Sequence, residues 1–405
     1  MNNNITIVPN EGVTFAKGFV TGGLYAGIRK KKKDLAIIKS ETPAAVAAVF
    51  TQNKTIAAPV VLSKRAFIES KKCSAIIVNS GNANACTGER GMQDAEKMVD
   101  ATASALGIPT NEVIVASTGV IGQFLPIDVI EKGIAELASQ LSVNGNNDAA
   151  ESIMTTDTFV KSFAVSFKIG GSEVRIGGIA KGSGMIEPNM ATMLAFITSD
   201  ANIDQQLLQR TFYNAVARSF NRISVDGDTS TNDMAVLLAN GASNTSKIEF
   251  GTQEYQLFTE ALVLVTTELA KMIARDGEGA TKLIEIAVNG ATSEDEALKI
   301  ARSVANSNLV KTAIHGEDAN WGRIIAAIGY SGIDLDPEFI ELSLNTHPVL
   351  RKKYQIVIDE EVVQKSLKEK DILLSIDLGR GSETARFWTC DLTRDYVSIN
   401  ANYRS

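Results

Sequence analysis

The stretch Lys181-Gly182-Ser183-Gly184-Met185-Ile186-Glu187-Pro188-Asn189-Met190-Ala191-Thr192-Met193-Leu194-Ala195-Phe196-Ile197-Thr198-Ser199-Asp200-Ala201 decides how the rest of the chain is read. Gly182 and Gly184 free the backbone, and Pro188 fixes φ and removes a donor, so a turn is expected here. Met193 to Ile197 is a nearly unbroken apolar run, the pattern of a strand buried on both faces. Between turn and strand stand Ala191 and Thr192, a small residue followed by a hydroxyl. Such a hydroxyl has a reaction open to it. It can attack the preceding carbonyl, shift the peptide to an ester and leave Thr192 as a new amino terminus. The freed α-amine would then activate its own hydroxyl, so that one residue carries nucleophile and base. The residues alone leave this open beside the commoner role, a threonine that merely flanks a strand.

The totals set the class. A length of 405 residues favours two domains over one. Hydrophobic residues make up 44% and charged residues 21%, as in ordinary globular chains. A net charge of −7 and a pI near 5.2 argue against a nucleic-acid partner, which a basic face would serve. No apolar stretch reaches bilayer-spanning length, and Met1-Asn2-Asn3-Asn4-Ile5 has no secretory pattern, so a cytoplasmic protein is expected. Cys73, Cys86 and Cys390 are odd in number and unpaired in spacing, which points to reduced thiols.

The pattern along the chain is α/β or α+β, without repeats. Leu35 to Ile38, Ala45 to Phe50, Ala75 to Val78 and Val113 to Ala116 read as strands, and Asp94 to Leu106 and Ile127 to Leu141 as helices. Asn144 to Asp148 reads as a loop. Phe163 to Phe167 and Val174 to Ile176, split by Gly170-Gly171, read as a hairpin. A helix is expected to start at Asn202, with Gln205 closing a capping box, and another to run from Glu254 to Arg275. Ile372 to Ile376, Ala385 to Thr389 and Tyr396 to Ile399 read as strands. The run Arg29-Lys30-Lys31-Lys32-Lys33-Asp34 is expected to be a solvated loop before a strand.

Seven further segments accompany the Thr192 stretch, in a fixed order. They are Gly12-Val13-Thr14 with Lys17-Gly18-Phe19, Asn79 to Gly88, Ser117 to Gly122, Met154 to Thr158, Val225 to Asp233, Asp276 to Lys282, and Ile399 to Ser405. Together they resemble the ArgJ family of arginine biosynthesis, the glutamate N-acetyltransferases or ornithine acetyltransferases, over essentially the whole chain. That resemblance implies a self-cleaving, N-terminal-nucleophile-like enzyme with a layered α/β/β/α arrangement. Cleavage between Ala191 and Thr192 would leave an α chain, residues 1–191, and a β chain, residues 192–405, sharing one fold and assembling as a heterotetramer. The reaction it implies passes an acetyl group from N-acetylornithine to glutamate by way of acetyl-Thr192, with no cofactor, and with acetyl-CoA as a further donor in some members.

Motif by motif, the resemblance makes Thr192 the nucleophile and Thr118 and Gly119 the oxyanion hole. Thr155, Lys181, Thr192, Glu278, Asn400 and Ser405 become substrate-binding residues. Lys181, eleven positions upstream across a turn, would lower the pKa of the Thr192 amine by its charge. Ser405 stands where the family more often has Thr, and Ser199 where it often has Thr. Asp226, Asp228 and Asp233 lack the closing Glu of a calcium loop, so no metal is expected. His315 and His347 lie in no hydrolase motif, and no phosphate-binding glycine loop is present. Two readings compete: a self-processing hydrolase or aminopeptidase that passes the acyl group to water, and an uncleaved amino-acid-binding protein.

Overall fold

A computed structural model of the chain describes residues 4–187 and 193–402. Ala191, Thr192 and Ser405 lie outside them. The described residues fall into two compact units. The larger draws on Met1–Gly182, Pro188–Asn221 and Thr229–Ile273, and the smaller on Ser183–Glu187, Arg222–Asp228 and Ala274–Ser405.

The larger unit is built on nine strands: β1 (Thr6–Val8), β2 (Phe19–Leu24), β3 (Leu35–Phe50), β4 (Lys72–Asn82), β5 (Val113–Val120), β6 (Lys161–Ile169), β7 (Ser172–Lys181), β8 (Leu194–Ser199) and β9 (Met234–Ala239). They form one sheet in the order β1-β6-β7-β8-β9-β3-β4-β5, with β2 also paired to β3. Two pairs are parallel, β4 with β5 and β8 with β9. The alternation of side chains along central strands sends each set to its own helices. Leu35, Ile37, Ile77, Val113 and Val115 pack on Met98, Val99, Ile130 and Ile134 of the helices Gly88–Leu106 and Ile127–Ala138. Ala36, Ile38, Ile76, Val78, Ile114 and Ala116 share the other cluster with Val60, Ala149 and Ile153, from the helices Ala58–Ser70 and Asn146–Ile153.

Several expected boundaries move. Leu35 to Ile38 and Ala45 to Phe50 belong to the single strand β3. Its register with β4 breaks between Lys39 and Ala44, around Pro43, which has no N–H to give the ladder. The loop expected at Asn144 to Asp148 gives way to a helix from Asn146, because the Asn146 side chain accepts the Val13 N–H at 2.9 Å and donates to Ser162 at 3.1 Å. The capping box at Asn202 does not form. The helix starts at Gln205, whose amide donates to the Val46 carbonyl at 3.1 Å, and Asn202 donates to Thr245 O. The expected helix toward Arg275 is present as Gln253–Arg275.

The smaller unit holds six strands: β10 (Leu283–Ala291), β11 (Glu341–Leu344), β12 (His347–Arg351), β13 (Gln355–Ile356), β14 (Asp371–Asp377) and β15 (Glu383–Cys390), in the order β13-β12-β11-β14-β10-β15. Ile284, Ile286, Val288, Leu374, Ile376 and Phe387 pack on the helices Glu294–Ala305, Asn308–His315 and Trp321–Gly329. Tyr396 to Ile399, expected as a strand, lies in the helix Arg394–Ala401. The Thr393 hydroxyl caps that helix by accepting the Asp395 N–H, an end signal that outweighs the β-prone side chains. Among the described residues no helix is long and apolar enough to cross a membrane.

Candidate active site

The parallel pair β4 and β5 brings two of the sequence motifs side by side. Asn79 stands opposite Ser117, Ser80 opposite Thr118 and Gly81 opposite Gly119. Gly119 has φ +132°, and a Cβ there would meet the Gly81 carbonyl carbon at 2.3 Å, so two backbones touch where a side chain would part them. The Ser117 hydroxyl donates to Asn79 Oδ1 at 2.5 Å. Asn232 ties both motifs together, its Nδ2 donating to Ala83 O at 2.6 Å and to Ser117 O at 2.9 Å. The strand end that carries Thr118 is thus tied to β4 and to Asn232.

Lys181 closes β7 opposite Leu194, the first residue of β8. It is buried, with Nζ 3.5 Å from Thr118 Oγ1. Behind it lies Asp157. One Asp157 oxygen accepts from Lys161 Nζ at 2.6 Å and from the Gly182 N–H at 2.8 Å, and the other accepts the Thr155 N–H at 2.9 Å. Burial would raise the pKa of this carboxyl, but the charges of Lys161 and Lys181 outweigh it and hold the acid well below the usual carboxylate range. Asp157 therefore fixes both Thr155 and the glycine turn after Lys181.

A second acid sits at the start of β9. Asp233 is fully buried, and burial pushes its carboxyl well above the usual range against the opposing Lys181 charge and bonds from Ser230 and the Met193 N–H. Among the described residues its Oδ2 has no hydrogen-bond partner.

In the smaller unit, Glu278 is buried and accepts from Asn400 Nδ2 at 2.7 Å, so these two predicted residues meet. The Glu278 N–H donates to Ser183 O at 3.0 Å, and a Cβ on Gly184 would lie 2.5 Å from the Glu278 carboxylate. The glycine pattern that reads as turn freedom thus also makes room for an acid. Asp226 accepts the N–H groups of Met185 and Ile186, each at 2.7 Å, which explains an acidic residue there without any ion.

The basic run departs from a wholly solvated loop. Lys30, Lys31 and Lys32 are exposed, but Asp34 is buried and accepts the N–H groups of Ala26, Gly27 and Arg29. Arg29 Nη1 and Nη2 donate to Met154 O at 2.6 Å and Thr155 O at 3.2 Å, and a Cβ on Gly81 would meet its side chain at 2.4 Å. Arg29, Asn232, Asp157 and Asp233 were not singled out by the sequence as site residues. Asp157 and Asn232 lie inside quoted motifs, and Asp34 closing the run was the available signal for Arg29.

Known proteins can now be set beside this geometry. A model of the ArgJ family matches residues 20–405. The chain belongs to the ArgJ family. The ArgJ relatives include proteins named arginine biosynthesis bifunctional protein ArgJ. That of Caldanaerobacter subterraneus is 49% identical over 97% of this chain and 98% of its own length, and that of Symbiobacterium thermophilum 51% over 97% and 98%. Among solved structures, ornithine acetyltransferase complexed with ornithine, from Mycobacterium tuberculosis, is 36% identical over 47% of this chain and 99% of the solved chain, with a TM-score of 0.43. The ArgJ match takes in seven of the eight segments quoted above in full, and of the first, Gly12 to Phe19, none, since it starts at residue 20.

Proposed function

We propose that this ArgJ-family chain moves an acetyl group from N-acetylornithine to glutamate, and that Thr192 carries it between them. The supporting observation is the meeting of Lys181 Nζ with Thr118 Oγ1 at 3.5 Å, where β7 faces the start of β8, the strand that begins two residues after Thr192. Cleavage at Ala191–Thr192 gives a terminal amine whose ordinary pKa, about 7.7–8.0, lets it take the hydroxyl proton near neutrality. The hydroxyl oxygen then attacks the acetyl carbonyl, and the Thr118 hydroxyl and Gly119 N–H donate to the developing oxyanion. The C–N bond breaks, the proton passes to the leaving amine, and ornithine departs. Glutamate's amine repeats the sequence in reverse and takes the acetyl group. Thr155, Lys181, Glu278, Asn400 and Ser405 recognise the amino-acid ends, a carboxylate suiting an ammonium and cations or hydroxyls a carboxylate.

Acetyl-CoA as a second donor is part of the same proposal. A cytoplasmic heterotetramer of two α and two β chains completes the proposal. Denaturing intact-mass measurement with amino-terminal sequencing tests its foundation. Fragments of which one begins Thr192-Met193-Leu194, with acetyl transfer exceeding acetate release, are expected. An uncut chain with full activity would reject Thr192 as a terminal nucleophile, and acetate release matching acyl consumption would favour the hydrolase.

A further inference from the structure

Segments far apart in the sequence converge on Thr155, and Arg29 is where they meet. Arg29 stands in the turn between β2 and β3, within the basic run. Asp34 holds that turn from inside. Its carboxylate accepts the N–H groups of Ala26, Gly27 and Arg29 at 2.7, 3.2 and 2.8 Å, and its own carbonyl accepts the Ser80 N–H at 2.9 Å. The Arg29 backbone is thereby fixed beside the end of β4. Its stem lies over Gly81, where a Cβ would come within 2.4 Å of Arg29 Cγ, and Gly81 in turn stands opposite Gly119. From there the guanidinium reaches both peptide groups that flank the Thr155 Cα. Nη1 donates to Met154 O at 2.6 Å and Nη2 to Thr155 O at 3.2 Å, while Asp157 Oδ2 accepts the Thr155 N–H at 2.9 Å.

A peptide group is planar, so a residue has only two soft backbone dihedrals, one toward each flanking plane. The plane before Thr155 is held at both edges, its oxygen by Arg29 and its N–H by Asp157. The plane after it is held by Arg29 again. Pinning both planes fixes φ and ψ of Thr155 and with them the direction of its Cα–Cβ bond. We propose that Arg29 is a positioning residue for substrate recognition: its fork sets where the Thr155 hydroxyl stands relative to the strand end that carries Thr118 and Gly119. The proposal rests on the reading of Thr155 as a residue that touches substrate. Arginine suits the task because its donors lie in one rigid plane and can span two carbonyls, whereas a lysine ammonium is a single point on a flexible stem.

A double-mutant cycle on the full chain tests the role, with KM for N-acetylornithine as the readout. Thr155→Ala removes the hydroxyl and keeps the backbone that Arg29 grips. Thr155→Ala and Arg29→Lys should each raise KM by about fivefold or more with kcat within about threefold, and the double variant should match Thr155→Ala within about twofold. Any fall in Tm caused by Arg29→Lys should instead be the same in both backgrounds, because both carbonyls are present in each. Asp34→Asn leaves the Arg29 side chain in place and loosens its backbone; it should raise KM only where Thr155 is present, and it decides the matter alone if Arg29→Lys gives no soluble protein. An Arg29→Lys or Asp34→Asn effect on KM that multiplies that of Thr155→Ala would overturn the role, as would wild-type KM in both variants, and Thr155 would keep its place. Wild-type KM in Thr155→Ala would remove Thr155 from substrate binding, and the role of Arg29 with it.

Discussion

Asp157 and Asp233 are the same residue type, both buried, and both within the field of Lys181, yet their surroundings drive them to opposite states. Asp157 lies before β6 against Lys161 at 2.6 Å and two backbone N–H groups, so its charge is fully answered. Asp233 lies before β9, and among the described residues one of its oxygens has no hydrogen-bond partner, so burial favours the neutral acid. Where two acids near one centre are pushed apart in this way, their roles divide. Asp157 is an anchor.

The largest effect should come from breaking the anchor. Asp157→Asn leaves the Lys161 ammonium buried without its counter-charge, which typically costs about 3–5 kcal/mol. Chemical denaturation of the purified variant should show a loss of that order and no gain at any pH above 4. A loss under about 1 kcal/mol would mean that Lys161 finds another partner and that Asp157 is not the anchor described. The two acids should also leave opposite marks on the pH dependence of stability, best read in the uncut Thr192→Ala chain. The folded pKa of Asp157 is depressed, so its contribution is present above the unfolded value of about 3.9 and fades as pH falls below it. The folded pKa of Asp233 is raised, so the folded chain keeps a proton that the unfolded chain releases. Stability should then decline as pH climbs from about 3.9 toward the raised value, and Asp233→Asn should remove that decline.

Next in size is Thr118→Ala. If Thr118 is the oxyanion donor proposed above, its loss should lower kcat by roughly 10²–10³ without moving the pH limb, since Thr118 does not titrate in this range. A loss of only a few-fold would break the link between the β4–β5 motif and the chemistry. Lys181→Met sharpens the comparison from the other side. Removing a like charge should raise the amine pKa by about one unit and carry the acid limb upward. An unchanged profile would remove Lys181 from the reaction.

How far the sequence could be read follows the same division. The alternating and continuous apolar runs placed β3, β4, β5 and β8, because strands buried on both faces leave little choice of residue. The local setting of the proposed site motifs was legible by type, a hydroxyl beside a glycine at a strand end, a lysine before a turn. Pairing was not. That Ser80-Gly81 lies against Thr118-Gly119, or that Arg29 reaches Thr155, depends on register and on contacts between residues 38 or more than 120 positions apart. Tyr396 to Ile399 shows the reverse failure. Its β-prone side chains are exposed or half-buried in a helix, so no core demands a strand there, and the Thr393 cap decides. Asp233 was read merely as one of three acids in a loop, since burial is what distinguishes it from Asp226 and Asp228.

The smallest effect belongs to a buried acid of the smaller unit. Glu278 sits over Gly184 in the smaller unit and is held by Asn400. If it serves to meet a substrate ammonium, Glu278→Gln should raise KM for N-acetylornithine by several-fold and leave kcat, the pH limb and cleavage nearly as they were, the mark of binding shared equally by ground and transition states. Gly184→Ala should do the same by a different route, because its Cβ would crowd the carboxylate at 2.5 Å without removing it. Agreement between the two variants would place the effect on the position of the carboxylate. If Gly184→Ala alone were damaging, the glycine would matter for the turn after Lys181, and the comparison among the three acids would reduce to the two that Lys181 feels.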